Sequence, residues 1–128
     1  MNILLDTHSF LWWITEDSRL SDLARKLIAD SGNILFWSSA SSWEVGIKYK
    51  LGRLPLPEEP GKFILEELEK NRIESLPITD EHAFHAADLP PRHKDPFDRM
   101  LIAQARMESL ILLSCDAFFN LYDVDVRW

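Results

Sequence analysis

The sequence predicts an α/β sandwich around a parallel sheet. Three observations carry that prediction. First, Asn2-Ile3-Leu4-Leu5, Ile34-Leu35-Phe36-Trp37 and Leu110-Ile111-Leu112-Leu113 are short apolar runs without the alternation of a half-exposed strand, the pattern of strands buried on both faces. Second, longer stretches with helical periodicity lie between them, so strands and helices alternate. Third, no internal repeat, low-complexity tract or linker interrupts the 128 residues, which read as one domain, residues 1–128.

Taken in order, the first strand ends at Asp6, followed by Thr7 and His8. Ser9 to Thr15 is a short helix whose Phe10, Leu11, Trp12, Trp13 and Ile14 exceed what one core face needs. Part of that surface either packs against another chain or fills this domain's own core. Ser18 to Asp30 reads as a helix with Leu20, Leu23, Leu27 and Ile28 as its stripe, capped by Ser18 or Ser21 and stopped at Ser31-Gly32-Asn33. After the second strand, the serines from Ser38 to Ser42 open a helix that runs to Leu51 and stops at Gly52. Its expected apolar row is Trp43, Ile47 and Leu51, with Glu44 on another face.

Leu54-Pro55-Leu56-Pro57 is an extended connector. Pro60 suits the first position of a helix with Phe63, Ile64, Leu65 and Leu68 inside and Glu66, Glu67, Glu69 and Lys70 in solvent. Ile73 to Ile78 is a short strand. Thr79-Asp80-Glu81 opens a helix carrying Ala83, Phe84 and Ala87, with His82 and His85 as surface or partly packed residues. Leu89-Pro90-Pro91 leads stiffly into His93-Lys94-Asp95-Pro96-Phe97-Asp98-Arg99. There Asp95 is a good N-cap, Pro96 a good first residue, and Asp98 sits in the first turn beside the positive end of the helix dipole. Phe97, Leu101 and Ala105 are expected to share the core face. The fourth run ends at Ser114-Cys115-Asp116, and Val124 to Arg127 is a last strand.

Composition bounds the function. Hydrophobic residues make up 46% and charged residues 27%, the balance of an ordinary soluble globular chain. One cysteine, Cys115, forbids an internal disulfide and is expected to be a small buried apolar residue; with no long apolar span and no leader pattern, the expected address is the cytoplasm. A net charge of −7 argues against a generic nucleic-acid coat, which is basic, but not against a nucleic-acid enzyme whose carboxylates hold cations. Lys48, Lys50 and Arg53 form one basic group and Arg92, His93, Lys94 and Arg99 another, read either as solvated helix ends or as nucleic-acid contacts.

The chemistry points to one edge. In an open parallel sheet, sites form at the carboxyl ends of the strands. Asp6 and Asp116 follow two strands. Glu44 lies in a helix that starts at that end, and Asp98 opens a helix that runs back into the fourth strand. The topology therefore gathers Asp6, Glu44, Asp98 and Asp116, with Asp95 nearby. Such carboxylates repel unless protons or cations intervene, and an all-oxygen set suits Mg²⁺ or Mn²⁺. Each acid alone has a plain structural reading: Asp95 and Asp98 as caps, Glu44 as an i,i+4 partner of Lys48.

Leu4-Leu5-Asp6-Thr7-His8, Ser42-Trp43-Glu44-Val45, Asp95 to Ala105 and Ser114-Cys115-Asp116 together resemble the successive acidic motifs of PIN domains, in particular VapC-type toxins of toxin–antitoxin pairs. The resemblance spans the chain in order. It implies a three-layer α/β/α sandwich and a Mg²⁺- or Mn²⁺-dependent endoribonuclease acting on RNA. It also implies a homodimer paired with a VapB-type antitoxin, and no membrane partner. By motif match Asp6, Glu44, Asp98 and Asp116 take the catalytic and metal-binding positions. Ser114 stands where the family has a hydroxyl, and Asp95 is an extra acid. Under this reading RNA contacts fall to Lys48, Arg53, Arg92, Lys94 and Arg99. A non-catalytic PIN-like binding module is the alternative. A haloacid-dehalogenase-like phosphatase needs a second aspartate where this chain has His8, and a receiver domain needs an acidic pair and a lysine that are absent.

Overall fold

The computed structural model describes residues 1–128. Five strands, β1 (Asn2–Leu5), β2 (Ile34–Ser38), β3 (Ile73–Leu76), β4 (Ile111–Leu113) and β5 (Val126–Arg127), form one parallel sheet in the order β3-β2-β1-β4-β5. Six helices, α1 (Thr7–Ile14), α2 (Asp22–Ala29), α3 (Ser39–Lys50), α4 (Pro60–Lys70), α5 (Asp80–Asp88) and α6 (Pro96–Met107), connect them. A 3₁₀ turn at Ala117–Leu121 precedes β5.

The apolar strands are buried on both faces, as their runs require. Along β1, Ile3 and Leu5 face one layer and Leu4 the other. The first layer adds Phe10 and Leu11 of α1, Ala24 and Ile28 of α2, Val45 of α3, and Ile64 and Leu68 of α4. The second adds Leu101, Ile102 and Ala105 of α6 with Phe119 and Tyr122. Two cores on opposite sides of one sheet make the three-layer sandwich that the sequence implies. From β1 the chain steps outward to β2 and β3, then returns to place β4 on the other side of β1. The strand order therefore reverses between β1 and β4, and the crevice at their carboxyl ends is where open α/β sheets bind ligands.

Several sequence expectations shift. The second helix begins at Asp22, because Ser21 caps it through the Ala24 N–H at 3.0 Å, while Asp17 bonds Arg19 in the preceding turn. The α2 stop owes nothing to a left-handed glycine: Asp30 accepts the Gly32 N–H at 2.9 Å, and the left-handed glycine is Gly52, φ +72°, after α3. β3 ends before Pro77, which has no N–H for the ladder. Leu54 and Leu56 pack against the first core layer.

The largest correction concerns α3. Trp43 and Leu51 are 66% and 59% exposed, and Ile47 is exposed too; Ala40, Ser41, Glu44 and Val45 face inward instead. Helical periodicity identifies stripes but not which stripe meets the sheet, and small residues let α3 lie close. Phe97 is only half-buried, set edge-on against Trp43 with centroids 5.4 Å apart. Phe84 is exposed, and His82 takes the inward position on α5. Trp12 and Trp13 both pack against the first core layer, and Trp13 Nε1 donates to Asn71 Oδ1 at 2.9 Å.

Candidate active site

At the carboxyl edge of β1 and β4 lies a cleft of about 420 Å³ lined by Asp6, Glu44, Asp95, Asp98 and Asp116, together with Thr7, His8, Trp12, Arg19, Lys48 and Cys115. The sheet edge thus gathers all five acids named from the sequence.

Each acid is held by its local structure. Asp6 directly follows β1 and caps α1, accepting the Ser9 N–H at 2.7 Å on Oδ1 while the Ser114 hydroxyl donates to Oδ2. The same hydroxyl accepts the Asp116 N–H at 3.0 Å, so Ser114 links the acids that follow two neighbouring strands. Asp116 Oδ1 accepts the Phe118 N–H at 2.9 Å and caps the 3₁₀ turn. Asp95 is the N-cap of α6, its Oδ1 taking the N–H groups of Phe97 and Asp98 at 2.8 and 3.2 Å. Glu44 is buried; Thr7 Oγ1 donates to Oε1 at 2.6 Å and Lys48 Nζ to Oε2 at 2.8 Å. The i,i+4 pair with Lys48 exists, and Lys48 lies in the cleft as well.

The sequence reading did not single out four features. Arg19 stands in the cleft, its guanidinium 5.0 Å from the ring centre of Trp12. Thr7 fixes Glu44. His93 Nε2 pairs with Asp98 Oδ2 at 2.7 Å. Cys115 is exposed and lines the cleft rather than filling a core; the sequence signal was its place beside Asp116 just past β4. Among the basic residues, Arg99 and Arg92 spend their guanidinium groups on backbone carbonyls. Arg99 reaches those of Ala86, Leu89, Pro90 and His93, and Arg92 that of Leu121. Arg53 and Lys94 are exposed, outside the residues that line the cleft.

Burial raises the Asp6 carboxyl above its ordinary range, opposed by its bonds from Ser114 and Ser9. Burial also pushes Asp98 up to about 6; the His93 bond opposes this, and the negative Asp95 and Glu44 add to it. The Cys115 thiol is raised by burial and by Asp6 and Asp116, which leaves it a poor nucleophile. Burial leads all three shifts, and neighbouring carboxylates add to those of Asp98 and Cys115. One consequence is measurable. The folded-state pKa of Asp98 lies above its unfolded value of 3.8, so between about pH 4 and 6 the folded chain keeps a proton that the unfolded chain has released. The metal-free protein is expected to lose stability as pH rises through that window, its Tm falling by roughly a few degrees from this group. Thermal melts of Asp98→Asn should lack that component; an identical pH slope in the variant would show that Asp98 is not the group responsible.

The profile of the PIN domain family matches residues 3–125. The chain belongs to the PIN domain family. This PIN domain is 31% identical over 61 residues to ribonuclease VapC16 of Mycobacterium tuberculosis, a match that covers 48% of this chain and 43% of that protein. It shares its fold with VapBC2 from Rickettsia felis, crystallised on a promoter DNA fragment (TM-score 0.72, 16% identity, 99% of this chain and 98% of that one). It shares it also with DNA-bound VapBC from Salmonella typhimurium (0.72, 17%, 99% and 97%) and with FitAcB from Neisseria gonorrhoeae (0.63, 21%, 98% and 96%). No helix of this PIN domain is long and apolar enough to cross a membrane.

Proposed function

We propose that this PIN domain is a metal-dependent endoribonuclease and the toxin of a toxin–antitoxin pair. The observation that carries the reading is the convergence of five carboxylates, from four separate stretches of chain, on one cleft of a PIN fold. The local relative is a ribonuclease by name, which supports RNA as the substrate.

The donor set fits a divalent cation. Asp98 and Asp116 offer ligand atoms within 4.8 Å of one another and of His93, and burial disfavours the ionised Asp98 carboxylate that a cation would favour. Asp98 and Asp116 would hold the ion, with Asp6 and Glu44 completing the shell directly or through water. Mg²⁺ or Mn²⁺ bound there supplies positive charge for the phosphate and acidifies water for attack on phosphorus. Lys48 and Arg19 stand in the same cleft, paired with Glu44 and Asp17, and would turn their remaining N–H groups to the RNA backbone. Burial and the neighbouring Asp6 and Asp116 disfavour the Cys115 thiolate, so the attacking group would be water, with no covalent intermediate.

The fold neighbours are VapBC complexes by name, which supports a VapB-type antitoxin as partner. Exposed Trp43, Ile47 and Leu51 on α3 give the chain an apolar face for a homodimer in the cytoplasm. Sedimentation of the pure chain as monomer alone at micromolar concentration would overturn the dimer. The activity is tested with an end-labelled single-stranded RNA: internal cuts are expected, and binding without any cut would favour the non-catalytic module.

A further inference from the structure

The loop from Leu89 to Asp95 carries a histidine that is clamped on three sides. Its backbone N–H donates to the Tyr122 hydroxyl at 2.9 Å, and that hydroxyl donates to the Pro90 carbonyl at 2.7 Å. The His93 ring lies flat on Phe118, centroids 4.5 Å apart and planes 1° from parallel. Phe118 sits two residues beyond Asp116 and is tied to it by the cap bond. Nε2 points at Asp98 Oδ2. One ring is therefore fixed against both α6, which carries Asp98, and the turn that carries Asp116. A histidine serving only as a counter-ion needs no such clamp. Donor atoms of His93, Asp98 and Asp116 all lie within 4.8 Å of one another, so the three groups face one another across one small space.

We propose that His93 Nε2 is a direct ligand of the cation bound by Asp98 and Asp116, and that this nitrogen makes the site select Mn²⁺ over Mg²⁺. The inference rests on the metal reading above and sharpens it. Mg²⁺ prefers oxygen ligands and keeps its waters, whereas imidazole suits first-row transition ions. Phe118, stacked flat on the His93 ring, would keep that ring in place beside a cation.

The test uses metal-stripped full chain titrated with Mn²⁺ and, separately, with Mg²⁺, followed by calorimetry and by pulsed electron paramagnetic resonance of the Mn²⁺ form. Directly bound imidazole gives a ¹⁴N modulation. That modulation should be present in the wild type, persist in His8→Gln, a histidine that lines the cleft, and vanish in His93→Gln. Mn²⁺ affinity should fall about 10-fold or more in His93→Gln, with a much smaller change for Mg²⁺. Melting curves of both variants confirm that they fold, and His93→Asn serves if His93→Gln does not. Bound Mn²⁺ without nitrogen modulation in the wild type would overturn the inference and leave the metal reading standing. So would equal losses for both ions in His93→Gln, which would make His93 only a positioning residue for Asp98. Failure of the wild type to bind Mn²⁺ at all would remove both.

Discussion

Asp6→Asn is expected to lower RNA cleavage by at least ~100-fold while leaving the Tm unchanged or higher. The two halves of that result have separate causes. Asn keeps the size of the side chain and remains as good an N-cap for α1, so the Ser9 N–H keeps its acceptor. The buried carboxylate is costly to ionise, and the neutral amide removes that cost. The anionic oxygen that would help to hold a cation is lost, and a few kcal/mol of transition-state stabilisation corresponds to two or more decades in rate. Asp95→Asn is the control. Asp95 works as the α6 cap, a task Asn performs equally, so its rate should stay within a few-fold. Rate assays and melts of both variants check this. An inactive Asp95→Asn beside an active Asp6→Asn would mean that the cleft acids have been given the wrong roles.

Arg99→Lys is expected to cost about 2 kcal/mol of stability, a Tm lower by roughly 5–10 °C, with little change in RNA affinity. One guanidinium reaches the carbonyls of Ala86 and Leu89 at 2.8 Å, of Pro90 at 3.0 Å and of His93 at 3.2 Å. It thereby ties the end of α5 and the following loop to the first turn of α6. An ammonium group cannot span that fork. The loop so held is the one that presents His93 and Asp95, which is why a residue with no place in the cleft matters to it. Thermal melts and an RNA-binding titration separate the outcomes: an unchanged Tm with weakened RNA binding would return Arg99 to the substrate contacts.

The sheet was legible because runs such as Ile3-Leu4-Leu5 and Ile111-Leu112-Leu113 can satisfy neither a solvent face nor a helical stripe. The cleft acids were legible because Asp6 and Asp116 closely follow strands, and strand ends in a parallel sheet share an edge. What escaped depended on long-range contact. Nothing in Trp43-Ile47-Leu51 tells that the opposite stripe of α3, with its small Ala40 and Ser41, meets the sheet. The Glu44 contact with Thr7 crosses 37 positions. His93 lay in a basic group, and only Phe118, 25 positions on, shows that its ring is aimed rather than solvated. Arg99 was read by charge alone, because its carbonyl partners belong to the backbone and leave no trace in residue identity.

The measurement that tests the central claim most directly is the rate of cleavage of a defined single-stranded RNA by metal-stripped protein, before and after Mn²⁺ is returned. The cleft of Asp6, Glu44, Asp98 and Asp116 predicts no cleavage in chelator, recovery on return of Mn²⁺, and no recovery at the same concentration in Asp98→Asn. Undiminished cleavage after stripping, or full recovery in Asp98→Asn, would contradict it.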